Sequence, residues 1–298
     1  MPEKEFIKSE SAVSSVVAAV LLLGIIVSVI TVINVSYIPE WKTSAEQSHM
    51  DNVFYDISNL KSHIDILSAT VDNQSSGSIS VNVPIRAGGA SIPVISPAKS
   101  SGVLSININE FSMRTTANNS TRTYDSRTFL ENLGSISYHS DNSNFVDQTY
   151  EYENGALILA QDELALMRQS PSFAIRKTDD NTNITLDITS IQILGPVRSI
   201  SSNSIEEVYI RHNSSSVLYE SENLFTEFTL TIETKYPSAW EGFLESVASD
   251  AGLGITEYSV TSSNSSAVVL TLTGAPGEDI KANIRKDVFD ARINVFEY

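Results

Sequence analysis

The chain has 298 residues, no cysteine, and 36 acidic against 19 basic side chains, for a formal charge of −17. That balance excludes a nucleic-acid binder, which needs clustered Lys and Arg to neutralise phosphates. The missing cysteines exclude disulfides, thiol catalysis and Cys-ligated metals, and the length is enough for a buried core in one or two domains.

Residues 1–9 read as a short mixed-charge leader. From Ala12 to Ile33 the chain then runs 22 residues without a charge. At about 1.5 Å per residue, that spans the roughly 30 Å hydrocarbon core of a bilayer. Tyr37 and Trp41 follow where a membrane interface accommodates amphipathic rings, and Lys4 and Lys8 against Lys42 favour an N-terminus on the cytoplasmic side. A secretory signal has a shorter apolar region and a small-residue cleavage site behind it. Here the run is longer, and Asn34 spoils the site around Ser36. Ahead of the run, Lys8-Ser9-Glu10-Ser11 offers a basic and small junction, so that cleavage between Ser9 and Glu10 leaves the whole apolar helix on the mature protein.

The stretch Ala12-Val13-Ser14-Ser15-Val16-Val17-Ala18, followed by LLLGIIVSVITV, resembles the start of archaeal type IV pilins and pilin-like cell-surface proteins. Ser15 stands where that family usually has Pro. YEYENGALILAQ (150–161) and TKYPSAWEGFLES (234–246) are similar to segments of the globular heads in one such family. The resemblance implies removal of a leader by a prepilin-type peptidase, a retained helix that self-associates with its copies in a filament core, and a head carried outside the cell. Within the apolar run three pairs of small residues stand at i and i+4: Ser14 with Ala18, Ser15 with Ala19, and Gly24 with Ser28. Such pairs permit the close approach on which helix association in a membrane depends.

Pro39 removes a backbone donor and biases Ile38 away from the helical region, so a kink or short break is expected there. Beyond it Met50, Val53, Ile57, Leu60, Ile64, Leu67 and Val71 repeat at three and four residues, a helical apolar stripe. Ile and Leu at alternate stripe positions suit a two-stranded coiled coil. With only about three heptads, packing on the chain's own head is the better reading. His49 and His63 flank the stripe two heptads apart, too far to share a metal ion on one helix, and read as solvated.

After Asp72 the period shortens to two. Ile79, Val81, Val83 and Ile85 read as a strand ended by Gly88-Gly89, with Pro84 and Pro93 pointing to edge positions. Leu104, Ile106 and Ile108 repeat the alternation, and Thr115 to Arg127 reads as a polar loop. Glu153-Asn154-Gly155 between alternating apolar runs predicts a tight hairpin. Strands follow at Ile184 to Ile188, at Glu206 to Arg211 and Val217 to Tyr219 around a polar turn at Asn213, and at Phe228 to Ile232. Ser238 to Glu241 forms a capping-box pattern opening a helix that carries Trp240, Phe243, Leu244 and Val247, with Gly252 or Gly254 to end it. Tyr258 to Thr261, a turn at Asn264, Val268 to Thr273, and alternation about Ile293 and Val295 close the chain.

The expected architecture is α+β: a leader (1–9), a long N-terminal transmembrane and assembly helix (10–71), and a mainly antiparallel, β-sandwich-like head with one short helix (72–298). Asn-x-Ser/Thr acceptors occur at Asn73, Asn118, Asn119, Asn183, Asn213 and Asn264, consistent with a glycosylated exterior. Asp179 to Asn183 lacks the Gly and distal Glu of a calcium loop. Glu151 and Glu153 alternate with Tyr150 and Tyr152, which reads as an exposed face over a core face. No catalytic, metal or cofactor site is expected. The sequence therefore points to a filament subunit with an adhesive head. The alternatives are a membrane-anchored binding module that does not polymerise and, behind it, an exported hydrolase.

Overall fold

The computed structural model describes residues 5–70, 79–88, 101–119, 122–125, 129–178, 183–219, 224–263, 266–274 and 279–294, with side chains from Ser15 onward. Val71, Gly89, Pro93 and Val295 lie outside these residues. Helical structure runs almost unbroken from α1 (Glu5–Val32) through a π turn (Ile33–Tyr37) into α2 (Ile38–Thr70). Pro39 does not break the helix. Its ring displaces the carbonyl one turn earlier, and the widened turn just ahead takes up the mismatch, with the Ile38 N–H donating five residues back to Ile33 O.

Seventeen strands follow among the described residues: β1 (Ser80–Arg86), β2 (Ser101–Ile106), β3 (Ser112–Asn118), β4 (Thr123–Asp125), β5 (Ser135–Asp141), β6 (Thr149–Glu153), β7 (Ala156–Gln161), β8 (Leu164–Gln169), β9 (Phe173–Lys177), β10 (Asn183–Leu194), β11 (Arg198–Ser202), β12 (Ile205–Tyr219), β13 (Leu224–Phe225), β14 (Glu227–Glu233), β15 (Tyr258–Ser263), β16 (Ala267–Thr273) and β17 (Asp279–Ile293). The helix α3 (Pro237–Asp250) interrupts them after β14. A central sheet has the order β1-β12-β17-β10-β9, with β13 on β17; a second runs β11-β2-β5-β6-β7-β8, and a third β15-β16-β14-β3-β4. Every pairing is antiparallel except β10 with β17.

Two cores share the central sheet. One is built by α2 with β1, β2, β5 and β6; the other by α3 with the third sheet. In β10, Ile184, Leu186 and Ile188 enter the α3 core, whereas Ile191 and Ile193 enter the α2 core. In β17, Ile280, Ala282 and Ile284 are followed in the same way by Phe289, Ala291 and Ile293. Successive strand residues point to opposite faces, so this change of parity means that the sheet is covered on one face along half its length and on the other face along the rest.

Several local expectations are corrected. Thr115 to Asn118 is strand, with Thr115 and Ala117 buried, because Thr fits a pleated, half-buried surface. Asn213 makes no turn: β12 runs through it, absorbing an extra residue between His212 and Ser214. Ile108 lies past the end of β2, since Asn107 takes a positive φ of 55°. Helix α3 starts at Pro237 with Tyr236 as its cap residue and no side-chain cap bond, so Ser238 is already inside. Proline at the first helical position is pre-organised and has no N–H to leave unpaired. Gly252, at φ 73°, ends α3, with Leu253 N–H on Ala248 O and Gly252 N–H on Ser249 O. The Asn154-Gly155 hairpin forms as expected, both residues at positive φ, between β6 and β7.

Candidate membrane and assembly helix

The large apolar residues from Val16 to Val35 are 46–71% exposed, apart from half-buried Ile33, and no described residue of the head covers them. Three polar side chains within this stretch satisfy themselves on the same helix. Ser28 Oγ donates to Gly24 O at 2.7 Å, Thr31 Oγ1 to Val27 O at 2.7 Å and Asn34 Nδ2 to Ile30 O at 2.8 Å. Each of these side chains thus places a donor on a carbonyl of its own helix, which lowers the cost of an apolar surrounding. By length and composition this helix is able to cross a membrane, as an anchor or as an export signal. Ala18, Ala19, Ser15, Gly24 and Ser28 are all exposed on it, and a Cβ added at Gly24 meets nothing. The side chains of Ser9, Glu10 and Ser14 lie outside the described residues. Tyr37 and Trp41 close the apolar stretch with their rings 6.0 Å apart.

Past Trp41 the same helix becomes part of the head. Met50, Val53, Ile57, Leu60, Ile64 and Leu67 are 0–6% exposed and fill the α2 core. Burying each contributes roughly 1.5–3 kcal/mol. Polar contacts pin α2 at three heights. At its base the buried Glu46 carboxylate accepts from the backbone N–H groups of Ser143 (3.3 Å), Asn144 (2.7 Å) and Phe145 (2.7 Å) and from Asn144 Nδ2 (3.0 Å). Burial raises the pKa of this carboxyl, but these hydrogen bonds outweigh burial and hold it below its ordinary value. Midway, Asp56 binds Arg86 Nε at 2.8 Å and Nη2 at 2.6 Å. Near the top, Arg285 Nη2 donates to Ser68 O at 3.1 Å and to buried Asp287 at 2.9 Å.

His49 is corrected from solvated to buried. It is 7% exposed and its Nε2 pairs with Tyr138 Oη at 3.2 Å, with burial pushing its pKa down. The residue just before Met50 falls inside the contact because α2 lies between two sheets and buries more than a single stripe. His63, by contrast, is partly exposed and faces its own helix at Asn59 O.

The strand β6 also departs from expectation, since Glu151 and Glu153 are 0% and 1% exposed. Tyr150, Tyr152 and Leu157 face the α2 core while Ala156 and Ile158 face the α3 core, so β6 and β7 have no wet face. Glu151 accepts from Asn109 Nδ2 at 2.7 Å and Tyr236 Oη at 3.4 Å, and its other oxygen has no partner. Glu153 accepts from Thr234 Oγ1 at 2.8 Å and from Trp240 Nε1. Burial pushes the Glu151 carboxyl up to about 7 against the nearby polar groups of Ser135, Asn109 and Tyr236 and the charge of Lys235. Burial, with the neighbouring Glu151, pushes Glu153 up to about 8. Beside Thr234 lies a polar groove of 520 Å³ that includes Glu110, Glu233 and Lys235.

The family model of a family of unknown function, DUF7289, matches residues 99–279, more than half of the chain. The chain belongs to that family. No curated protein and no solved structure matches it. The segment matched to DUF7289 opens just before β2 and closes on the first residue of β17. It therefore holds Glu151, Glu153 and α3 and leaves the long helix outside. Among the described residues no group of three or more His, Asp or Glu is placed to hold a metal.

The expected glycan acceptors are differently placed. Asn213 is exposed at the β12 bulge. Asn118, partly buried, donates to Glu227 Oε2 at 2.9 Å; Asn119 accepts from the Arg122 N–H at 2.8 Å; and Asn183 opens β10, half-buried. Asn73, Asn264 and the stretch Asp179 to Thr182 lie outside the described residues.

Proposed function

We propose that this protein is a type IV pilin-like structural subunit of an extracellular filament or cell-surface appendage. In this reading α1 is stored in the cell membrane and then packs against its copies, while the acidic β-rich head is displayed outside and serves in adhesion. One observation carries it. A single helix is bare and apolar over its first half and built into the head's core over its second half, so the head is rigidly mounted on a segment that must find apolar partners elsewhere. A prepilin-type peptidase acting between Ser9 and Glu10 leaves that segment intact, and no catalytic role is assigned to the head. Asn213 is the acceptor best placed to carry a glycan.

The satisfied hydroxyls of Ser28 and Thr31 favour a second reading equally, a permanent single-pass anchor for a surface binding module. Electron microscopy of cells that produce the protein, beside cells that lack it, separates the two. Filaments labelled by antibody to the head support the subunit reading. Even labelling of the cell envelope without filaments supports the anchor.

A further inference from the structure

Two carboxylates stand on one face of one short strand, both sealed from water, and neither forms an ion pair among the described residues. Glu151 and Glu153 are two residues apart, which on a strand sets their Cα atoms about 6.6 Å from each other. All the elements packed on this face contribute to their surroundings. From α3 come Trp240 Nε1 and its cap residue Tyr236; from the link between β14 and α3 come Thr234 and Lys235. From β5 comes Ser135, and from the link between β2 and β3 comes Asn109. Lys235 is exposed, and its ammonium lies over the Tyr236 ring, 5.6 Å from the centroid, so it offsets the pair's charge only from a distance.

We infer that Glu151 and Glu153 form a proton-dependent clasp that fastens α3 to the second sheet, closed when the pair holds at least one proton and loosened when both carboxylates are ionised. The geometry supplies both halves of the argument. Ionising both places two like charges close together in an apolar layer, where neither is solvated and one Glu151 oxygen has no donor at all. Hydrating two charges requires the cover over this face to open, and that cover is seated by Trp240, which donates to Glu153 and stacks on Phe111 at 5.7 Å; its single hydrogen bond favours the charged Glu153 but does not replace the water that both carboxylates lack.

The sign follows from linkage. Both folded-state pKa values lie above the unfolded carboxyl value, so at these two sites the folded head binds more protons than the unfolded chain. This pair therefore costs no stability below the unfolded pKa, and its cost grows as pH rises from there through about 7 and 8. Glu46 works in the opposite sense, its contribution being lost as pH falls through its lowered folded value.

The test uses the full chain in detergent micelles with Trp41→Phe, which leaves Trp240 as the only tryptophan. Its fluorescence is followed from pH 5 to 9 together with the carboxyl carbon resonances of Glu151 and Glu153 by 13C NMR. The clasp predicts that both resonances titrate above pH 6, that Trp240 emission shifts to the red over the same range, and that Glu153→Gln suppresses the shift at least threefold. Titration of both carboxyls below pH 5, or emission that stays constant while they ionise, overturns it. The resonances of the unsubstituted pair decide the matter even where Glu153→Gln fails to fold.

Discussion

The two halves of the long helix share one backbone geometry and live in opposite surroundings. From Val16 to Val35 every large apolar side chain but the half-buried Ile33 is bare, whereas from Met50 to Leu67 the apolar stripe is sealed. What separates them is the pattern around the apolar residues rather than their number. The first half is apolar on all sides, so no rotation against a single sheet would bury it. The second half alternates its stripe with Asp, Asn, Ser and Lys, and is further fixed by Glu46, Asp56 and Ser68. One helix thus serves as an element of the head and as a segment awaiting a different apolar partner.

Truncation separates the two halves most severely. Removing residues 1–40 takes away only the bare half and is expected to leave a soluble, folded, β-rich head by circular dichroism and gel filtration. Removing residues 1–70 strips the α2 core of its helix and is expected to give aggregated or unfolded protein. Similar behaviour of the two truncations would mean that the halves do not differ as described.

Point substitutions distinguish the halves on a smaller scale. Leu60→Ala opens a cavity in the α2 core and is expected to lower head stability by about 2–5 kcal/mol in denaturant unfolding, whereas Leu22→Ala in the bare half should change it by less than about 0.5 kcal/mol. Next comes the base of the joint. Glu46→Ala leaves three backbone N–H groups without their carboxylate and is expected to cost about 2 kcal/mol, read as an earlier thermal transition. Smallest in stability is Gly24→Leu, which meets no neighbour within the chain. It should leave head unfolding and membrane insertion unchanged while reducing filament number, since a Leu there holds neighbouring helices apart. Filaments of normal number and length would remove Gly24 from the packing surface.

Much of this was legible in the residues. The uncharged run, the stripe from Met50 to Leu67 and the Asn154-Gly155 turn each follow from a local rule, and each is present in the fold. The misreadings have a common origin in surroundings that are not local. Alternation along β6 reads as one wet and one dry face, but a strand pressed between two cores has two dry ones. The polar run about Asn213 continues as strand because β17 pairs with β12 on both sides of the bulge. Glu46 carries a signal of its own burial. It stands four residues before Met50, on the stripe itself, where an acid is buried only if something binds it. The exchange of cores along β10 is likewise written in its apolar residues, which pass from Ile184, Leu186 and Ile188 to Ile191 and Ile193.

A filament subunit keeps the bare half of the helix on the mature protein and uses it there. N-terminal sequencing of the protein recovered from the surface of producing cells tests it most directly. A mature chain beginning at Glu10, with Ser11 as the neighbouring start, is the predicted result. A mature chain beginning near Tyr37 would contradict it, because the apolar half would then be only a discarded export signal.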